Sequence, residues 1–542
     1  MNILTLRSGG DEFRPPRAVR APKPPKQPLM VRLKDKDRQK FFVAFFVGKL
    51  VGVAAFFLLV KTIGPWILGQ AAHAAGVKSQ DALGCTAVPY PNTGAVAATQ
   101  AECNANLVSA SNTAWVLVTA FLVFFMQAGF MMLEAGFART REVVNVLVEC
   151  IVDTCLCAIL YWAFGFALMF GVGNAWFGHS FFFLNGAPAT YTLTGATGVA
   201  FMAFFLFQFA FADTCSTITS GAMVGRTGFV GDLIYSFFVS GLIYPVLGHW
   251  VWGPGGLIST VAKPGGAVTS WFVLHDFAGS TVVHTMGGFI ALAGAIALGP
   301  RLGRKFKRDG GGLPPGHDLL AASIGGVILW FGWYGFNPGS TLSAMDSGGI
   351  GRVAANTTLA AAAAGGSAFA LVYFRIKKWD LGISINGFLG GLVAITCPCY
   401  WVNSTGAVII GLVAGIVVVF GVDFMEWLRI DDPIGAVAVH GFAGIWGTWS
   451  LGLFATGKYG TDPGLIWPGG NHKHSLRFFI AQVGGNAIIA VAAFAVAFAI
   501  MKAIAAGKML RISEEGELEG IDIHEHGSPA YHPEAAYMGK GL

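Results

Sequence analysis

Asp276-Phe277-Ala278-Gly279-Ser280-Thr281-Val282-Val283-His284 aligns without a gap on Asp432-Pro433-Ile434-Gly435-Ala436-Val437-Ala438-Val439-His440. Asp, Gly, the penultimate Val and His coincide, 156 positions apart. Each copy opens an apolar run, so each Asp stands at a helix start. There a carboxylate accepts from unpaired N–H groups and meets the positive end of the helix. Eight residues at 1.5 Å carry each histidine about 12 Å along its helix. The second helix comes five apolar runs after the first and so runs the opposite way. Two antiparallel copies make an inverted repeat, whose sites lie near the midplane of a membrane at the repeat interface. His284 and His440 are expected at similar depth.

The rest of the chain supplies the membrane. Of 542 residues 54% are hydrophobic and only 12% charged, against about 25% charged in an average soluble domain. Mean hydropathy is +0.62. There are 75 glycines, about twice the usual ~7%, and glycine lets helices approach closely in lipid. The runs are apolar throughout rather than alternating, which excludes a transmembrane β-barrel. Soluble enzyme and nucleic-acid binder fit poorly despite the net charge of +6. No catalytic triad, P-loop or nucleotide fingerprint is present, so neither an enzyme nor an ATP-driven pump is expected.

Runs long enough to cross roughly 30 Å of hydrocarbon fall near 41–60, then 114–137, 146–170, 199–223, 229–251, 279–298, 319–336, 353–374, 383–395, 407–424, 434–454 and 478–501. Eleven follow residue 110. One set of alternate loops carries Arg139, Arg141, Arg226, Arg301, Arg304, Lys305, Lys307, Arg308, Arg375, Lys377, Lys378 and Arg429, and continues into Lys508 and Arg511. The opposite set is sparse, and 171–198 has no charge at all. Positive-inside counting therefore puts the start of the eleven-span core outside and the C-terminus in the cytoplasm.

Residues 1–40 hold eleven bases against four acids, with six prolines. They read as a basic, Pro-rich cytoplasmic tail beside a lipid surface. Residues 41–61 form an extra transmembrane segment or a signal sequence; Ala72-His73-Ala74 resembles a cleavage site, and both readings stay open. Residues 62–111 form an extracytoplasmic linker, 112–505 the eleven-span core and 506–542 a cytoplasmic C-terminal tail. Cys85 and Cys103 can pair in an oxidising compartment. Cys397-Pro398-Cys399 has no partner cluster, so no metal site is expected.

Ionisable residues deep in a membrane are costly and functional by default. Two unrelated packing histidines are the plain alternative, weakened by the symmetric placement. A haem-ligand pair is the redox alternative, but nothing else marks a haem pocket and no cofactor is expected. The third reading is a transport pore lined by neutral imidazoles.

Several separated motifs then carry a resemblance: Asn112-Thr113-Ala114-Trp115, Asp276 through His284, Phe331-Gly332-Trp333-Tyr334-Gly335-Phe336-Asn337, Asp431-Asp432-Pro433 through Gly441, and Gly520-Ile521-Asp522 through His526-Gly527. Over most of 112–538 the sequence resembles the ammonium transporter/ammonia channel family, which includes the Rhesus-type proteins, and is closer to its bacterial and plant branch. The resemblance implies an all-α polytopic fold of eleven helices with an inverted five-helix repeat, here with one extra N-terminal apolar segment. It implies ammonium or ammonia as substrate, with methylammonium as an analogue, and a homotrimer in the cell membrane. It also implies a PII-type regulatory protein on the C-terminal tail.

Carried over by position, Trp252, Phe211, Ser340 and Asp276 match the outer recruitment site. Phe211 and Phe336 match a stacked phenyl gate, His284 and His440 the twin histidines of the pore, and Asp432 the repeat counterpart of Asp276. An ammonium sensor of the same fold with little flux is the alternative function. Three positions depart from the family pattern. Asp213 replaces a small apolar residue near the gate, at a helix interface or in the vestibule. Gly225-Arg226 lacks the usual acid before its base. Asn145 replaces Ser and is expected in the outer or pore-lining region.

Overall fold

The computed structural model describes residues 100–192, 198–261, 272–467 and 472–531. The basic tail, the 41–61 segment, Ala72–Ala74 and Cys85 lie outside the described residues, as does the side chain of Cys103. Two units divide near Gln100, and everything below concerns the second.

Among the described residues, eleven apolar helices build it. They are α1 (Gln100–Phe137), α2 (Val143–Phe170), α3 (Phe201–Gly221), α4 (Phe229–Trp252), α5 (Ser280–Leu298), α6 (Leu319–Gly339), α7 (Ser347–Ile376), α8 (Leu381–Thr396), α9 (Ser404–Leu428), α10 (Val437–Phe454) and α11 (His472–Ala506). Ten are long and apolar enough to cross a membrane, and α8 is shorter. Hydropathy located all eleven but not their ends. α1 begins fourteen residues before 114 and α7 six residues before 353, because a helix keeps its own hydrogen bonds beyond the hydrocarbon while polar residues there lower the average. Side-chain caps mark four starts: Asp318, Asp346, Asp380 and Asn403 accept from Ala321, Gly349, Ile383 and Gly406 N–H at 2.8–2.9 Å. Such caps contribute about 1 kcal/mol each.

Helices α3, α5 and α10 form the centre. In their apolar windows 83%, 78% and 72% of residues are buried, against 28% in α7. α5 and α10 meet crosswise. A Cβ on Gly288 would fall 2.2 Å from Gly441 N, and one on Gly444 would fall 2.7 Å from Ser280 O and 2.9 Å from Thr285 N. Gly288 and Gly444 are each four residues past a repeat histidine, and Thr285 and Gly441 each one past. The contacts therefore obey the two-fold relation written in the sequence. Both helices open with π-helical turns, Ser280–Thr285 and Val437–Phe442, each holding its histidine. Single π turns inside helices are frequent at functional sites.

At one end of the bundle the basic residues gather around Asp431. It accepts from Arg301 Nε (2.8 Å), Nη2 (3.0 Å) and backbone N (3.0 Å), and from Arg304 Nε (3.1 Å). Its carbonyl accepts from Arg226 Nη2 at 2.7 Å. Burial alone would raise the Asp431 carboxyl, but the bonded Arg301 guanidinium, with Arg226 nearby, holds it well below the usual carboxylate range. Two short helices, α12 (Glu514–Glu519) and α13 (Ile521–His526), dock the tail at this end. Asp522 Oδ1 accepts from Asn145 N at 2.9 Å, and Arg511 bonds Leu298 O at 2.7 Å and Glu517 at 2.8 Å.

Candidate functional site

Each repeat aspartate caps its helix. Asp276 accepts from the N–H groups of Gly279 (3.0 Å), Thr281 (2.9 Å) and Val282 (2.9 Å), and Asp432 from Ala436 and Val437 (both 2.9 Å). The glycine in register serves the turn in between: Gly279 and Gly435 have φ of +119° and +81°, a region that L side chains avoid.

The Asp276 backbone carbonyl also accepts from Trp252 Nε1 at 2.7 Å. This fixes the indole, in the last turn of α4, at the edge of a cavity of about 260 Å³. Phe211, Gln208, Ser340, Phe277 and Tyr400 line it as well. Ser340 Oγ donates to Phe336 O at 2.8 Å, so its oxygen keeps lone pairs for a donor in the cavity. Phe211 stands edge-on to Trp252, ring centroids 6.2 Å apart.

Phe211, which lines the cavity, meets a second phenyl ring. Phe211 and Phe336 stack at 4.0 Å and 26°, and both are fully buried. Phe207, one turn from Phe211 on α3, backs that ring at 4.7 Å.

Beyond the rings the two histidines meet. His284 Nδ1 and His440 Nδ1 are 3.2 Å apart, with ring centroids at 5.3 Å. A hydrogen bond between them requires one Nδ1 to donate and the other to accept, so at most one ring carries charge. His284 Nε2 is buried without a protein partner. Past His440 a void of about 20 Å³ is bounded by Phe130, Ile218, Leu389, Val439 and Glu134. That is room for about one water-sized molecule.

The structure thus brings Trp252, Phe211, Ser340, Asp276, Phe336, His284 and His440 into one column, with Asp432 capping the partner helix. Trp333 belongs with them although the sequence assigned it no role. Its indole stacks on the His284 ring at 5.2 Å and 25°, and its Nε1 donates to Thr396 Oγ1 at 2.8 Å. Its signal was spacing: Trp333 sits three residues before Phe336 on one helix face.

The departures resolve in space. Asp213 faces the α2 interface, accepting from Thr154 Oγ1 at 3.1 Å. Gly225 has φ of +81°, and a Cβ there would fall 2.1 Å from Glu142 Oε1. The Glu142 carboxylate fills the space that a side chain at 225 would need and pairs with Arg139, while Arg226 bonds backbone carbonyls only. Asn145 is not in an outer or pore-lining region. It lies in the first turn of α2 at the tail end, its Oδ1 2.9 Å from His526 Nε2, because α2 starts at Val143.

Residues 114–531 match the model of the Ammonium Transporter Family. The chain belongs to the ammonium transporter family. It is 43% identical over 425 residues to the ammonium transporter Amt2 of Archaeoglobus fulgidus, covering 77% of this chain and 87% of that one. It is 40% identical over 448 residues to a putative ammonium transporter of a Synechocystis species, covering 82% and 94%. Among solved structures it is similar to a sensor Amt protein, with a TM-score of 0.70 and 34% identity, covering 78% of this chain and 99% of that chain. It is also similar to Candida albicans Mep2, with a TM-score of 0.66 and 28% identity, covering 76% and 88%. This family member is an integral membrane protein whose relatives point to a transporter or channel rather than an enzyme.

Proposed function

We propose that this family member moves ammonium across a cell membrane by separating it into ammonia and a proton. The observation that carries the reading is the unbroken column from the Trp252 cavity through the 4.0 Å ring stack to the 3.2 Å imidazole pair. The Trp252 cavity faces outside and the Asp431 end, with its arginines, faces the cytoplasm, as charge counting expects.

A small cation in the cavity gains cation–π attraction from Trp252 and Phe211, about 0.5–2 kcal/mol depending on desolvation, and donates to Ser340 Oγ. Carrying the intact ion past the phenyl rings would cost tens of kcal/mol on Born estimates, whereas ammonia loses only hydrogen bonds. The rings therefore select the neutral form. The imidazole pair donates to and accepts from ammonia in turn, and His284 Nε2 offers it a partner. Potassium has no proton to give up and is rejected. Assembly as a homotrimer, and a PII-type protein on the docked tail, follow from the family resemblance.

A sensor with little flux is the second reading, favoured by the likeness to a sensor Amt protein. Accumulation of labelled methylammonium by cells that lack their own ammonium transporters tests the two. Uptake above empty-vector cells supports transport; binding without uptake supports sensing.

A further inference from the structure

The motif Asn112-Thr113-Ala114-Trp115 of α1 takes no part in the column, yet its two ends hold one turn beside it. Asn112 Oδ1 accepts from Ser343 Oγ at 3.1 Å and from Ala344 N at 2.9 Å. Trp115 Nε1 donates to Thr341 Oγ1 at 3.1 Å. The turn joins Ser340, at the end of α6, to Asp346, at the start of α7. Leu342 inside it has φ of +53°, a conformation that side chains rarely adopt and that persists only where the surroundings fix it. The chain is thereby folded back, so that Asp346 lines the same cavity as Trp252 and Ser340.

The Asp346 carboxylate is half-buried and held from two sides. Oδ1 accepts from Gly349 N at 2.9 Å, and Oδ2 from the Tyr400 hydroxyl at 2.8 Å. A carboxylate offers about four lone-pair sites, so each oxygen keeps capacity for the cavity. The Tyr400 ring is itself fixed, lying flat on Phe277 at 4.9 Å and 20°. Asp276 lines the cavity too, but its oxygens are taken by the N–H groups that open α5. Among the described residues no lysine or arginine pairs with Asp346. Arg352, further along α7, turns to other partners. Its Nε donates to Tyr400 O at 2.9 Å, and its guanidinium lies over the Tyr459 and Tyr400 rings at 3.6 and 4.6 Å. The charge of Asp346 is thus left for a cation in the cavity, with Arg352 as a repelling charge behind Tyr400.

We propose that Asp346 is a further binding residue of the cavity, the counter-ion of the ammonium held over Trp252, and that Asn112 and Trp115 position it. The proposal rests on the transport reading above. Ammonium has four N–H donors. The faces of Trp252 and Phe211 and the Ser340 oxygen leave one of them, which Asp346 accepts directly or through a water. About 260 Å³ leaves room for that water, which takes about 30 Å³. A charged acceptor supplies what two rings and a hydroxyl lack, an attraction that acts beyond contact distance and concentrates cations at the mouth. Neutral ammonia gains nothing from it, so Asp346 sets how much ammonium is captured and leaves passage of the ring stack alone.

The test uses the full chain in proteoliposomes, reading the alkalinisation of the lumen against ammonium concentration at low and high sodium chloride. Asp346→Asn keeps a good helix cap and an acceptor for Tyr400 but removes the charge. At low salt its half-saturating concentration is expected to rise roughly three- to tenfold, with the maximal rate retained. Arg352→Gln removes the repelling charge and should shift the same quantity the opposite way, roughly twofold. Salt screens charge, so it should raise the wild-type value and barely move that of Asp346→Asn. An unshifted Asp346→Asn, a shift of both variants in one direction, or a wild-type value indifferent to salt overturns the role of Asp346 and leaves the transport reading standing. If Asp346→Asn fails to fold, the Arg352→Gln shift and the wild-type salt response still decide. No ammonia entry in wild type removes the transport reading, and the role of Asp346 with it.

Discussion

His284 and His440 meet Nδ1 to Nδ1 at 3.2 Å from helices that cross antiparallel. The glycines four residues past each ring, Gly288 and Gly444, are what let the helices come this close. The imidazole pair is thus set by backbone packing as much as by the side chains themselves.

Gly288→Ala should loosen that crossing, because its Cβ would fall 2.2 Å from Gly441 N. Overpacking of this kind costs about 1–3 kcal/mol. The melting temperature in detergent should drop, and transport should fall with it. Gly366→Ala, on α7 with open space around its Cβ, should not lower the melting temperature.

Trp333→Leu removes both the ring stacked on His284 and the bond to Thr396. An aromatic pair contributes about 0.5–1.5 kcal/mol beyond burial, so labelled methylammonium uptake should fall roughly three- to tenfold. Trp333→Phe should retain most of it.

Ser340→Ala withdraws the acceptor in the cavity while leaving both phenyl rings in place. A hydrogen bond of this sort is worth about 0.5–1.5 kcal/mol, more to a charged donor. The concentration giving half-maximal uptake should rise roughly three- to tenfold. Trp252→Leu should add to that shift, since cation–π attraction contributes about 0.5–2 kcal/mol.

Asp431 gives the fold a defined response to acid. Its carboxyl is held below its ordinary value by Arg301 despite burial, so the unfolded chain takes up its proton first. The stability it contributes is complete above the unfolded value, about 3.9, and is lost as pH falls toward the folded one. The melting temperature should hold from pH 7 to about 5 and fall below about 4. Removing one partner of a buried pair costs about 3–5 kcal/mol, so Asp431→Asn should melt lower at pH 7 and show a smaller acid drop.

The membrane makes much of this architecture readable from the chain, because every span must be an apolar helix. The Asp–Gly–His repeat announced both caps and the depth of both histidines. Helix ends were less legible, since α1 and α7 continue where hydropathy falls. Gly225 looked like a plain loss, but the Glu142 carboxylate, 83 residues earlier, fills the space beside it, and only folding brings the two together. Asn145 was misplaced because its partner, His526, is in the tail.

The central claim is that only the neutral form passes the Phe211–Phe336 stack. Its most direct test compares ammonium and potassium gradients of equal size across proteoliposomes holding the purified chain. Ammonium should drive ammonia entry while potassium carries no flux, and entry should collapse in the His284→Ala, His440→Ala double variant. Potassium conduction by the wild-type protein, or ammonia entry undiminished without both imidazoles, would contradict the account.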